Sequence, residues 1–188
     1  VVLPAAVALL SLAPGAQAGL VFTIEGPGVQ STSVLGASTE TFEAAPVGTS
    51  AAYVSAAVDG TYGPISVDNA NVYGAAGGVG RYNLQGVWAG NSETLSFNNP
   101  KTYFGLWWSA GDANDRLSFY EGATLLGSYQ VGDIIPYLSP AYYGNPNGGG
   151  NGSEPYVYLN FTTTGSSAIT TVVFENLGGG GFESDNHS

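Results

Sequence analysis

The chain has 188 residues, with 14 acidic side chains against three Lys and Arg, and a formal net charge of −11. Nucleic-acid binding and docking to anionic lipid both need clustered basic residues, so this balance argues against either partner. Charged residues make up only 9% and there are 29 glycines, which indicates a neutral-polar surface rich in turns. The length and a hydrophobic fraction of 44% fit one folded domain.

The first 18 residues have the pattern of a secretory signal peptide. An apolar run over residues 1–12 precedes the helix-breaking pair Pro14-Gly15 and the small-residue sequence Ala16-Gln17-Ala18. This pattern predicts cleavage after Ala18 and a single mature domain over residues 19–188. Export without any cysteine fits a bacterial protein that is secreted or held at the cell surface.

The mature part reads as short strands separated by Gly, Pro, Asn and Asp. Alternation of apolar and polar residues between turn signals predicts strands of this kind. The predicted strands are Leu20–Glu25, Ala52–Ala57, Arg81–Trp88, Glu93–Phe97, Thr102–Trp108, Arg116–Tyr120, Thr124–Gln130, Tyr156–Thr162, Ile169–Phe174 and Phe182–His187.

Four local features can be placed on this framework. The aromatic run Tyr103–Tyr120, with a Gly-Asp-Ala-Asn-Asp turn inside it, predicts one hairpin. Glu121-Gly122 predicts a second hairpin directly after it. Asp133 is a candidate helix N-cap for one or two turns that end near Leu138. Residues 139–155 form the longest loop and are expected to lie on the surface.

Many short strands with Gly-rich turns predict an all-β fold, a two-sheet antiparallel β-sandwich of jelly-roll type with one short helix. A β-barrel and a β-helix are the alternatives. The irregular strand spacing disfavours a β-helix.

An aromatic cluster supplies a candidate ligand site. Trp107 and Trp108 are adjacent, so in a strand they face opposite sides of the sheet, and at least one is expected in the core. The other is expected to be exposed or to be covered by the Tyr-rich loop Ala141–Gly144, and an exposed indole could stack on a sugar ring. The remaining candidates for this carbohydrate site lie in the long loop and are Tyr142, Tyr143 and Asn145, with Asn147 as a further hydrogen-bonding side chain.

Two carboxylates form a candidate structural Ca²⁺ site. Glu25 ends the first mature strand and Asp185 lies in the last one, and first and last strands are commonly neighbours in a jelly roll. Ca²⁺ prefers six to eight oxygen ligands, which carboxylates and loop carbonyls can supply. The segment Gly111–Asp115 is a second candidate, but it lacks the downstream Glu of an EF-hand loop, and tight turns favour Asp and Asn in any case.

Catalytic patterns are sparse. There is no cysteine nucleophile and no GxSxG motif, and the only histidine is His187. A two-carboxylate glycosidase could use Glu40 with Glu43, or Asp112 with Asp115, although neighbouring acids are common on any acidic surface. We therefore expect a protein that is not an enzyme.

Four segments carry a resemblance to a known family: YFGLWWSAGDANDRLSFYEG (103–122), AYYGNPN (141–147), EPYVYLNF (154–161) and GGGFESDNH (179–187). Here the chain resembles exosortase-dependent (PEP-CTERM-type) surface proteins of Gram-negative bacteria and cyanobacteria; residues 19–100 match only loosely. The resemblance implies export and a C-terminal Pro-Glu-Pro motif, membrane helix and basic tail. This sequence reaches Ser188 without such a tail, so processing by an exosortase is expected only of a chain that carries one. The family implies no catalytic activity.

These features together predict an exported, non-enzymatic β-sandwich of the cell surface or extracellular matrix that contacts polysaccharide. A carbohydrate-binding module that uses exposed aromatic side chains is the first alternative. A two-carboxylate glycosidase is the second.

Overall fold

The computed structural model describes residues 19–86 and 92–188. Within them, thirteen strands form two antiparallel sheets, accompanied by one short α-helix. The predicted all-β, two-sheet sandwich is confirmed. The predicted signal peptide over residues 1–18 and the end of the third predicted strand, including Trp88, lie outside the described residues.

The strands are short and follow one another closely along the chain. Their bounds are β1 Leu20–Ile24, β2 Gly48–Ser50, β3 Tyr53–Ser55, β4 Gly60–Gly63, β5 Ile65–Asn69, β6 Arg81–Gln85, β7 Ser92–Lys101, β8 Tyr103–Ser109, β9 Asp115–Glu121, β10 Thr124–Gln130, β11 Val157–Thr163, β12 Ile169–Asn176 and β13 Phe182–Asp185. The helix α1 is Val131–Ile134, and 3₁₀ turns cover Ala76–Gly78, Ile135–Tyr137 and Pro140–Tyr142.

Successive strands in the second half of the chain often change sheets. The seven-stranded sheet has the order β1-β11-β8-β13-β6-β5-β2, and the six-stranded sheet has the order β10-β9-β12-β7-β4-β3. The chain thus wraps around the core, as expected for a jelly roll. Strands β11, β8 and β13 lie inside the larger sheet and carry most of the site described below.

The core lies between the two sheets and is dominated by aromatic side chains. Trp108 of β8 stacks on Phe182 of β13 with ring centroids 4.8 Å apart, and Phe119 of β9 packs on Phe161 of β11 at 4.6 Å. All four side chains are at most 1% exposed. Their burial supplies the main stabilisation of the fold, at roughly 25 cal/mol per Å² of apolar surface.

Ten of the thirteen strands overlap the predicted ones. The three that sequence patterns missed are β2, β4 and β5, with the sequences GTS, GTYG and ISVDN. They are short, polar or glycine-containing, and they form through pairing with neighbours rather than through a local apolar pattern. The predicted hairpin of β9 and β10 is confirmed by their antiparallel pairing.

The predicted Tyr103–Tyr120 hairpin is wrong. Strand β8 belongs to the seven-stranded sheet and β9 to the six-stranded sheet, so residues 110–114 cross one end of the sandwich. The physical reason is that Trp108 and Leu117 are both buried in the core between the sheets, which places the two strands on opposite sides of it. A two-residue periodicity reports which face is buried, but not which strand is the partner.

The helix is present with a different start. Its N-cap is Gln130, and Asp133 stands at the third helical position, where its carboxylate accepts a 2.8 Å hydrogen bond from the Gln130 backbone N–H. Asp133 therefore acts in a capping box and is not the N-cap. None of the helices in the described ranges is long and apolar enough to cross a membrane.

Candidate functional site

Three loops cover the outer face of the seven-stranded sheet, the face that points away from the core. They are residues 25–40, residues 70–80 and residues 139–155, called here the first, second and third cover loops. Neutral hydrogen bonds join them. Gln30 of the first loop donates to Asn147 of the third at 2.9 Å and accepts from the backbone N–H of Gly77 in the second.

The second and third cover loops are joined through the carbonyl of Val72. It accepts 2.8 Å and 2.7 Å hydrogen bonds from the Asn145 amide and the Tyr156 hydroxyl. The first loop is held by Glu25, whose Oε1 accepts from the Ser33 backbone and hydroxyl and from the Asn160 amide, at 2.6–2.9 Å. Side-chain and backbone hydrogen bonds thus hold these loops in one arrangement without any ion pair between them.

A groove opens between the first and third cover loops. Its volume is about 510 Å³, within the usual size range of small-molecule sites. No charged side chain lines it. The lining residues are Pro27, Gly28, Ala141, Tyr143, Gly144, Asn145, Pro146, Gly149, Gly150 and Gly152. The groove therefore offers one aromatic ring, proline rings and backbone polar groups.

Of the predicted loop residues, Tyr143 and Asn145 line this groove and Tyr142 does not. The Tyr142 hydroxyl donates to the Glu25 carbonyl at 2.8 Å, and its ring packs against the core. Asn145 is only 6% exposed, and both ends of its amide bind backbone groups. Tyr143 is thus the side chain best placed to contact a ligand.

Neither tryptophan of the predicted site is available for stacking. Trp107 is 0% and Trp108 is 1% exposed. Trp108 lies in the main core, as the opposite-face argument predicts for one of the pair. Trp107 lies on the outer face in a second cluster with Tyr156 and Tyr158, against which Ala76 of the second cover loop packs. Of the two alternatives for the second indole, the structure excludes exposure and shows a covered side chain, against whose cluster Ala76 of the second cover loop packs.

Glu25 and Asp185 do not form a shared site. Strands β11 and β8 lie between β1 and β13, which separates the two residues by about 14 Å at the usual spacing of strands. Asp185 instead accepts 2.7 Å hydrogen bonds from the backbone N–H groups of Ala76 and Asn186. Hydrogen bonds lower the pKa of Glu25 despite its partial burial, whereas burial raises that of Asp185 to about 7. Each carboxylate fixes a cover loop.

Three of the four acids proposed for a glycosidase, Glu40, Glu43 and Asp115, are held in structural contacts, whereas Asp112 is partly exposed. Glu40 is 7% exposed and accepts hydrogen bonds from the Phe42 backbone at 2.7 Å and the Tyr53 hydroxyl at 3.1 Å. Glu43 accepts from the Arg81 backbone N–H at 3.0 Å. Asp115 is fully buried, and burial raises its pKa to about 8. A fully buried carboxyl offers no surface to a polysaccharide.

A buried polar chain was not predicted from the sequence. His187 Nε2 lies 3.0 Å from the Ser184 hydroxyl, and its Nδ1 lies 3.0 Å from the Tyr62 hydroxyl. A Ser–His contact is the pattern of a nucleophile with its base, but all three residues are fully buried. Burial lowers the pKa of His187 to about 3, so the ring is neutral. These hydrogen bonds give the buried polar groups of Tyr62, His187 and Ser184 partners within the core.

Carboxyl groups also gather where residues 110–114 cross from one sheet to the other. Burial raises the pKa of Asp115, and the charges of Asp112 and Glu154 raise it further. The pKa of Glu183 rises to about 9, first through burial and then through these neighbours. Only the Asp112–Asp115 segment was singled out from the sequence, because the approach of Glu154 and Glu183 depends on the fold.

Within residues 19–86 and 92–188, no three acidic or histidine side chains converge as a ready-made metal centre. No protein-family model, curated protein or solved structure matches the chain.

Proposed function

We propose that the chain is an exported, non-enzymatic domain of the bacterial cell surface or extracellular matrix, and that it contacts polysaccharide through the groove between the first and third cover loops. The observation that carries the proposal is the uncharged groove of about 510 Å³ with Tyr143 in its wall. Rings of this kind stack on the apolar faces of sugars, and backbone groups of the glycine-rich wall can bind hydroxyls.

The hydrogen bonds among the cover loops support this proposal. A binding loop that is already ordered loses little conformational entropy when a ligand binds. Gln30, Asn145 and Asn147 hold the groove walls through neutral contacts. This arrangement suits a hydrated, uncharged ligand better than an ionic one.

Export is proposed from the sequence of residues 1–18. Expression of the chain behind an initiator Met in a Gram-negative host should yield a secreted or periplasmic protein that begins at Gly19. Retention in the cytoplasm with an intact N-terminus would contradict this part. If a longer chain carries a C-terminal sorting tail, exosortase processing becomes a further part of the proposal.

The groove is tested by glycan-array screening followed by calorimetry with the best polysaccharide. Tyr143→Ala should weaken binding about tenfold or more, because the stacking ring is lost. Tyr120→Ala is the matched control: Tyr120 is half-buried and lies on β9 of the other sheet, so it should leave the affinity unchanged. Equal binding by both variants, or no binding to any glycan, would remove the groove from the proposal.

Incubation with the same polysaccharide distinguishes a binding protein from a glycosidase. Saturable binding without release of reducing ends fits a binding module or matrix protein. Turnover abolished by Glu40→Gln or Asp112→Asn would support the glycosidase instead.

A further inference from the structure

Tyr73 is the one exposed aromatic side chain in the part of the chain that the structure describes. It is 47% exposed, whereas every other Phe, Tyr and Trp within residues 19–86 and 92–188 is buried or half-buried. Aromatic rings elsewhere in this protein are used for packing, which is where they contribute most to stability. The fold therefore keeps one ring available at its surface, and the neighbours of that ring indicate what it can bind.

Tyr73 lies on a tight bend, residues 71–74, within the second cover loop. The Asn71 side chain accepts hydrogen bonds from the backbone N–H groups of Tyr73 at 2.8 Å and of Gly74 at 3.2 Å. The amide of Asn71 also donates to the Tyr82 hydroxyl at 2.8 Å. A Cβ atom at Gly74 would lie 2.3 Å from the buried ring of Tyr82, so the bend rests directly on that side chain. The backbone that carries Tyr73 is thus fixed before any ligand arrives.

The same bend is bound to the wall of the groove. The Val72 carbonyl accepts the 2.8 Å hydrogen bond from the Asn145 amide, and a Cβ atom at Gly150 would lie 3.0 Å from Val72 Cγ2. Asn145 and Gly150 both line the groove. Tyr73 follows Val72 directly in the chain, so it lies beside the groove without being part of its lining.

The surface that connects the groove to Tyr73 is uncharged. From Tyr143 it passes over Gly144 and Asn145 of the third cover loop to Val72 of the second. All three basic side chains of the chain are engaged elsewhere: Lys101 with Asp59, Arg116 with Glu175, and Arg81 with the carbonyls of residues 43 and 45. An acidic polysaccharide would meet a net charge of −11 here with no cation at the groove to bind it, which favours a neutral ligand.

We propose that the ligand of the groove is an extended neutral oligosaccharide whose chain continues from the groove onto Tyr73, so that Tyr143 and Tyr73 stack on two different sugar rings. This inference rests on the polysaccharide contact proposed above, and it adds the class of glycan and a second stacking position. The two tyrosines lie on loops that hydrogen bonds already hold together, so little conformational entropy is lost when a long ligand covers both. A single sugar in the groove does not reach Tyr73.

The test is a length series of oligosaccharides from the neutral polysaccharide that binds best, measured by calorimetry with the full chain. A hexasaccharide should bind about tenfold or more tightly than a disaccharide, because only the longer chain reaches both rings. Tyr73→Ala should remove this advantage and leave the affinity for the disaccharide as it was. Tyr143→Ala should weaken the binding of both ligands.

Two further variants show that the ring itself is responsible. Tyr73→Phe should keep the length dependence, because stacking needs the ring and not the hydroxyl. Leu35→Ala is the matched control: Leu35 is 98% exposed on the first cover loop and does not line the groove, so the variant should bind both ligands like the parent protein. Thermal unfolding of Tyr73→Ala should give the parent Tm, which separates a loss of affinity from a loss of fold.

The outcomes distinguish this inference from the proposed function. If Tyr143→Ala weakens binding but both oligosaccharides bind equally well, or if Tyr73→Ala keeps the length dependence, the groove site stands and the second stacking position is overturned. If no neutral glycan binds, both proposals fall. A polyuronate that binds as tightly as the neutral chain would overturn the assignment of a neutral ligand.

Discussion

Asp185 of the last strand accepts a 2.7 Å hydrogen bond at Oδ2 from the backbone N–H of Ala76 in the second cover loop. The preceding residue, Ala75, is fully buried at a φ of 74°, a left-handed conformation that costs free energy in a residue other than glycine. This contact therefore holds the loop in the conformation that covers Trp107.

Asp185→Ala should release this loop. The variant leaves the Ala76 N–H without its partner in a partly buried setting, so the free energy of unfolding should fall by about 1–3 kcal/mol in urea titrations. Hydrogen exchange should accelerate first at residues 74–80. Asp68→Ala is the control, because the Asp68 carboxylate accepts a hydrogen bond from the backbone N–H of the next residue, Asn69. It should change the free energy of unfolding by no more than about 0.5 kcal/mol. Equal effects in both variants would contradict the anchoring role.

The two tryptophans should behave as structural residues. Trp108→Ala removes a buried ring that stacks on Phe182 in the core, which should cost about 3–5 kcal/mol. Trp107→Phe should cost much less, because the buried indole N–H of Trp107 has no hydrogen-bond partner to lose. Urea denaturation measures both values. Selective loss of glycan binding in a stable Trp107 variant would restore the stacking site that the sequence predicted.

The sequence predicts local features of this fold well and long-range neighbours poorly. Alternation located ten strands and placed Trp107 and Trp108 on opposite faces, because both follow from backbone geometry alone. Whether Trp107 is exposed depends on the second cover loop, and Asp185, which holds that loop at Ala76, lies 109 residues further along the chain. The separation of Glu25 from Asp185 depends on the insertion of β11 and β8 between their strands, which no local pattern encodes.

The buried chain of Tyr62, His187 and Ser184 should contribute to stability. Tyr62→Phe leaves His187 Nδ1 without a partner in the core, so the free energy of unfolding should fall by about 1–3 kcal/mol. Tyr137→Phe is the matched control, because Tyr137 packs by its ring against Phe22 near the surface. An unchanged free energy of unfolding in Tyr62→Phe would show that the Tyr62–His187–Ser184 hydrogen bonds do not stabilise the fold.

Stability in EDTA should fall as the pH rises from about 4 to 9. Burial raises the pKa values of Asp185, Asp115 and Glu183 to about 7, 8 and 9. Between pH 4 and those values, the folded state keeps these protons while the unfolded chain has released them. Each carboxyl therefore stabilises the fold fully below about pH 4, and its contribution is lost as the pH rises through the pKa of the folded state. His187 acts in the opposite sense, because its pKa is lowered to about 3 and its contribution is lost as the pH falls below 6.5.

Burial also raises the pKa of the fully buried Glu93 carboxyl, so four carboxyls oppose one histidine and the net stability should decline as the pH rises above 4. Urea denaturation in EDTA at pH 5, 7 and 9 measures it, and each pKa unit of difference between the folded and unfolded states is worth about 1.4 kcal/mol. Asp115→Asn and Glu183→Gln should each flatten the decline, since an amide does not titrate. His187→Gln should change the profile only below pH 6.5. A stability that rises from pH 5 to 9 in EDTA would mean that these carboxyls are charged in the folded protein.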